Sequence, residues 1–112
     1  MKYVIARAAR LDIDDIAKFY AREHRDLAAR FIEELDRALL LLRRHPGLGQ
    51  RVGANHRRFS LHGFPFFVNY RIDDAEAVIR VVAVSHQSRR PGYWINRVEE
   101  LAPEYSLLRE VA

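Results

Sequence analysis

Between Ala77 and Ser85 the chain reads Ala-Val-Ile-Arg-Val-Val-Ala-Val-Ser, apolar on both alternations except at Arg80. Successive strand residues point to opposite faces, so a strand of this composition needs cover on both sides and neighbours along both edges. That requirement commits the chain to a sheet with a buried centre. The residues before it supply the neighbours. Asp73-Asp74-Ala75-Glu76 is a polar hairpin loop, and ahead of it Phe66, Val68, Tyr70 and Ile72 alternate with Phe67, Asn69 and Arg71. Arg57–His62 alternates too, with Phe59 and Leu61 on one side and Arg58, Ser60 and His62 on the other, before a turn at Gly63. Lys2–Ala6 is rich in strand formers and adds a further strand. The expected sheet therefore has one apolar face and a second face mixing Arg, His, Asn and aromatics.

Two helices are expected to cover the apolar face. From Arg10, residues Ile13, Ile16, Ala17, Tyr20 and His24 recur at three- and four-residue spacing, with Asp12, Asp14 and Asp15 in the first turn, where the helix dipole favours negative charge. Acidic first turns are common, and no further carboxylate follows at ligand spacing, so no metal is expected there. Asp26 reads as the N-cap of a second helix carrying Ala28, Phe31, Ile32, Leu35, Ala38, Leu39 and Leu42 as one stripe. Only a short link separates the two helices, which predicts an antiparallel hairpin. His45-Pro46-Gly47-Leu48-Gly49 stops the second helix. Strands rather than a helix and a Lys follow these glycines, so a phosphate loop is not expected.

The fold class is α+β: an N-terminal strand, an antiparallel helix hairpin packed on a small, mainly antiparallel sheet, and a short C-terminal segment. Residues 1–98 form one domain and 99–112 an acidic tail. At 112 residues the chain suits a single core. It has no Cys, which excludes disulfides and thiolate zinc sites. The opening MKYVIARAARLDIDD turns acidic before a signal-peptide core could form, and no apolar run reaches the ~18 residues of a membrane span, so the expected location is the cytoplasm. Net charge is +4, unevenly spread: residues 51–98 hold eight Arg against three acidic side chains, and residues 99–112 hold one against four. The only lysines are Lys2 and Lys18. Arg presents a planar fork for phosphate or carboxylate and does not act as a proton-transfer base, so the basic region is suited to gripping anions.

The chemistry-bearing residues cluster after the last strand, in His86-Gln87-Ser88-Arg89-Arg90-Pro91-Gly92-Tyr93-Trp94-Ile95-Asn96-Arg97. Arginines beside Tyr93 and Trp94 suit phosphate, an acidic protein surface or stacked bases; alternatively the two aromatics fold back on the sheet while the arginines stay solvated. The five histidines are too scattered for helix-spaced metal ligands, and Ser60, Ser85 and Ser88 lack a nucleophile-elbow context beside His62 or His86. RNA cleavage needs a base, an acid and cations for the phosphate, and His86, Tyr93, Arg58 and Arg89 supply those identities.

Five words in order carry a resemblance: Phe31-Ile32-Glu33-Glu34-Leu35; His45-Pro46-Gly47-Leu48-Gly49; Arg57-Arg58-Phe59-Ser60-Leu61; Phe64-Pro65-Phe66-Phe67-Val68-Asn69-Tyr70-Arg71-Ile72; and Val82-Ala83-Val84-Ser85-His86, followed by Arg89-Arg90-Pro91 and Trp94. Over residues 2 to 98 the chain resembles the ParE branch of the RelE/ParE toxin superfamily, the toxin half of bacterial toxin–antitoxin pairs, also called plasmid-stabilisation proteins. The resemblance implies a cognate antitoxin and no cofactor. RelE-like members cut messenger RNA on the ribosome with basic residues and a C-terminal tyrosine, whereas ParE-like members act on DNA gyrase. Phe67 stands where ribonuclease members carry Arg, and no Lys follows Lys18, which favours gyrase over the ribonuclease alternative. The target is expected on Arg58, Arg71, Arg89, Arg90, Tyr93, Trp94 and Arg97. The antitoxin is expected on Leu39, Leu42, Phe67 and Arg80. A ribonuclease would instead use Arg58, His86, Arg89 and Tyr93. A third alternative is a chain that keeps the fold and has lost its target.

Overall fold

The computed structural model describes residues 1–95 and the backbone of Ser106–Leu107. Strand β1 (Lys2–Ala6) runs directly into helix α1 (Arg7–Glu23), which is followed by α2 (Arg25–Arg44) and a 3-10 turn at Pro46–Leu48. Strands β2 (Gln50–Val52), β3 (His56–Ser60), β4 (Phe66–Asp73), β5 (Val78–His86) and β6 (Ser106–Leu107) complete one sheet of order β2-β3-β4-β5-β1-β6. All neighbours are antiparallel except β1 and β5, which are parallel. The segment read as doubly apolar is indeed central, with β4 on one edge and β1 on the other. Of the acidic tail only Ser106–Leu107, paired with Ala6 and Ile5, lies among the described residues. Among those residues no helix is long and apolar enough to cross a membrane.

Two details of the helices differ from expectation. Helix α1 starts at Arg7 rather than Arg10, because strand passes to helix with no loop; Asp12, Asp14 and Asp15 thus lie beyond the first turn, which holds no acid. The small Ala8 and Ala9, both buried, let this start pack close to the sheet. Asp12 has a separate use. Strand β1 stops pairing with β5 at Val81, and the Asp12 carboxylate accepts the Val84 N–H at 3.0 Å where no strand continues. The N-cap of α2 is His24, not Asp26: the His24 Nδ1 accepts the Asp26 N–H at 3.2 Å.

The principal core lies between the helices and one sheet face. It takes Phe31, Leu35, Ala38, Leu39 and Leu42 from α2, and Val68, Tyr70, Ile79, Val81 and Val84 from β4 and β5. Tyr20, Phe31, Phe64 and Phe66 meet edge to face within it. Tyr70 reaches past this core to the turn after α2, where its hydroxyl donates to the Pro46 carbonyl at 2.6 Å and accepts the Gly49 N–H at 2.9 Å. Arg57 holds the same turn through the Gly47 and Gly49 carbonyls.

A bulge interrupts the β4–β5 pairing. Asn69 faces Ala83 and Tyr70 faces Val81, leaving Val82 without an opposite number. Val82 and Ala83, adjacent in sequence, consequently share the second sheet face, where Trp94 covers them.

Candidate functional site

The second face is built from alternate residues of β3, β4 and β5 and from the chain that leaves β5. Arg58, Asn69 and Ala83 lie side by side across three strands, and the next row is Ser60, Phe67 and Ser85. Buried Asn69 ties these rows together: its Nδ2 donates to the Ser85 Oγ at 2.9 Å and to the Ala83 carbonyl at 3.3 Å. Residues 91–95 then fold back over the face. Trp94, 1% exposed, packs on Val82 and Ala83 with Val52, Tyr93 and Ile95 around it, and its ring meets His56 edge on at 5.0 Å.

Around this anchor sit two arginines, each lying on a ring. The Arg58 guanidinium is 4.4 Å from the centre of the Phe67 ring, and that of Arg89 is 3.9 Å from the centre of the Tyr93 ring. Arg58 also donates to the Gln50 Oε1 at 3.1 Å, and Gln87 donates to the Ser60 Oγ at 3.2 Å. Arg90, next to Arg89 in the chain, is exposed at the start of the turn closed by the Tyr93 N–H on its carbonyl. Gln50, Ser60 and Gln87 are not among the expected site residues; the alternation of Ser60 with Arg58 is legible in sequence, but the meeting of Gln50 with Arg58 and of Gln87 with Ser60 across the sheet is not.

At the opposite end of the face the charges are already matched. Arg71 and Arg80 are direct neighbours across β4 and β5. Asp73 receives Arg80 at 3.1 Å and Arg71 at 4.0 Å, and Glu76 receives Arg80 at 2.9 Å. The Glu76 N–H, followed by Arg80, holds the Asp73 carboxyl below its ordinary range. Arg71 was expected to meet the target and Arg80 the antitoxin, but the fold joins them in one network.

The remaining expected residues differ in burial. Leu39 and Leu42, assigned to the antitoxin, are 2% and 0% exposed and belong to the core beneath α2; the neighbour that faces outward is Leu40, 51% exposed. Trp94, assigned to the target, is the anchor that pins the segment to the sheet. Phe67, assigned to the antitoxin, is half-buried beneath Arg58. Arg97 lies outside the described residues.

The ribonuclease set is divided by the sheet. His86 pairs with Phe66 and stacks edge on against its ring at 5.2 Å, on the helix side, while its Nδ1 accepts the Ser88 N–H at 3.0 Å. Arg58 lies on the other side with Phe67. Among the described residues no group of three His, Asp or Glu side chains could hold a metal ion.

A family model described as the ParE toxin of type II toxin-antitoxin system, parDE, matches residues 3–91. A search of curated proteins finds no match.

Proposed function

Because the chain belongs to the ParE toxin family of type II toxin–antitoxin systems, we propose that it arrests growth by inhibiting DNA gyrase and is neutralised by a cognate antitoxin. The separation of His86 from Arg58 by the thickness of the sheet carries the choice of target. A nuclease that activates a 2′-hydroxyl and protonates a leaving oxygen must bring base, acid and cation to one phosphate. Here the exposed imidazole lies against Phe66, whose ring belongs to the helix side of the sheet, and Arg58 and Arg89 lie over rings of the opposite side. What the second face offers is binding chemistry: fixed guanidinium groups with neutral donors between them. Gyrase acts on chromosomal DNA, so the proposed site of action is the cytoplasm.

The antitoxin site is proposed on the outer side of α2. Leu40 is exposed beside Met1 and Arg44. An acidic amphipathic segment that orders on binding would cover the leucine and match the arginine.

The test is a supercoiling assay with purified chain and gyrase, scored for lost supercoiling and trapped DNA breaks. Inhibition reversed by the antitoxin is the expected result. No inhibition by demonstrably folded protein, together with new cuts in ribosome-bound messenger RNA, would replace this reading with the ribonuclease.

A further inference from the structure

The second sheet face is electrostatically two-sided. All three acidic side chains between residues 51 and 95 lie in or beside the β4–β5 hairpin, at Asp73, Asp74 and Glu76. Asp73 and Glu76 neutralise Arg71 and Arg80 there. At the other end, among the described residues, no ion pair forms to Arg58, Arg89 or Arg90. Arg58 and Arg89 are nevertheless held in place, because each guanidinium carbon lies over a ring, 4.4 Å from the centre of Phe67 and 3.9 Å from that of Tyr93. A guanidinium held over a ring loses less rotamer freedom when it binds an oxygen anion, and Arg58, whose Nε donates to Gln50, still has its two terminal nitrogens to offer one.

The same stacking narrows the class of partner. A protein interface of useful affinity is centred on apolar or aromatic anchors that become desolvated. At this end Trp94 is already buried, and a guanidinium covers Phe67 and Tyr93. No large apolar side chain of this patch is among the exposed ones, which are Met1, Leu11, Phe19, Leu40 and Leu48. A single strand is recognised by stacking bases on open aromatic faces, and the stacked arginines occupy those faces. What remains suited to the surface is a ligand that offers regularly spaced anionic oxygens and asks for no stacking or apolar contact.

We propose that the end of the second sheet face carrying Arg58, Arg89 and Arg90 binds the phosphate backbone of duplex DNA, with Ser60, Gln50 and Gln87 as neutral hydrogen-bonding neighbours. Arg71 and Arg80, bound to their own carboxylates, stay outside the contact. The choice of DNA over another duplex rests on the gyrase reading; the choice of a phosphate backbone rests on the charge pattern and the covered rings. On this assignment the toxin touches the DNA of a gyrase–DNA complex as well as the enzyme.

Fluorescence anisotropy with a labelled 20-base-pair DNA duplex, in the absence of gyrase, tests the contact. Three phosphate contacts predict that log K falls with log salt at a slope of about −2.7, from ~0.9 per phosphate. The triple variant Arg58→Ala, Arg89→Ala, Arg90→Ala should lose at least tenfold in affinity and most of that slope, while Arg71→Ala stays within about twofold of the parent chain. Arg90→Glu, a single change at an exposed turn residue, should weaken binding in the same direction and guards against misfolding of the triple variant. Failure of the folded parent chain to bind at low salt would overturn the proposal. So would affinity unchanged by Arg90→Glu, tighter binding of the single strand or of an RNA duplex, or displacement of DNA by polyglutamate as readily as by unlabelled duplex, which would point to an acidic protein surface. Since gyrase is absent, a negative result here leaves the supercoiling test standing, and a negative supercoiling result leaves this binding measurement intact.

Discussion

Gly49 and Ala77 show two separate ways in which a backbone position selects its residue. Gly49 has an ordinary φ of −70°, but a Cβ there would come within 2.6 Å of the Tyr70 hydroxyl and 3.0 Å of the Arg58 carbonyl. Gly49→Ala must push apart the bonds from Tyr70 that hold the turn, and we expect a loss of ~1–3 kcal/mol, read from the urea midpoint. Ala77 has the opposite problem: it is exposed at the hairpin after Asp73, but its φ is +54°. Left-handed backbone costs an L-residue ~1–2 kcal/mol, and glycine gives back ~0.5–1 in chain entropy, so Ala77→Gly should be neutral to stabilising by up to ~1.5 kcal/mol in the same measurement. A third residue sets the response to acid. Hydrogen bonding to Arg37 is the main cause that lowers the Glu34 carboxyl, which also accepts the His62 N–H and so ties α2 to the loop after β3. A carboxyl lowered in the folded state contributes stability that is complete above the ordinary glutamate value, ~4.3, and disappears as pH falls through the lower folded value. Glu34→Gln should therefore be less stable than the parent at pH 7, with the difference shrinking below pH ~4 in urea titrations.

Helix α2 separates stability from partner binding by a rotation of one residue. Leu39 and Leu42 face the sheet, whereas Leu40 faces solvent beside Arg44. Leu39→Ala should cost ~2–5 kcal/mol through the cavity it leaves, while Leu40→Ala should change stability by under ~0.5 kcal/mol. On the proposed antitoxin site, Leu40→Ala should instead weaken antitoxin binding, measured by calorimetry. Unchanged affinity would move the site elsewhere on the hairpin. Strand β5 is divided in a comparable way by its bulge. Ile79, Val81 and Val84 serve the helix side, and Val82 with Ala83 serves Trp94. One skipped pairing thus creates the small second core on which the arginine-bearing segment is fastened.

Across the whole molecule, the sheet acts as a partition, with the helix hairpin and His86 on one side and the stacked arginines on the other. If binding rather than RNA cleavage is the toxic act, His86→Ala should keep growth arrest and supercoiling inhibition within about threefold of the parent, since its imidazole accepts the Ser88 N–H and meets the edge of Phe66, away from the arginines. Abolished toxicity with antitoxin binding intact would favour the nuclease. The order of the two helices and the four longer strands, the central place of β5 and the α2 stripe were legible in the sequence, because the periods of helix and strand sort apolar residues onto faces without knowledge of their partners. It also indicated that positive charge gathers in the second half of the chain. The missed β2 is only three residues long, and the true start of α1 was hidden because a strand that passes straight into a helix has no turn residue to mark it. Folding in three dimensions settled the rest: that Trp94 is an anchor, that Leu40 rather than Leu39 or Leu42 is left exposed on α2, that Arg71 shares Asp73 with Arg80, and that Arg58 and His86 lie on opposite faces. Each of these depends on strand register and on how the chain returns after β5, and residues distant in sequence meet there at distances no local pattern encodes.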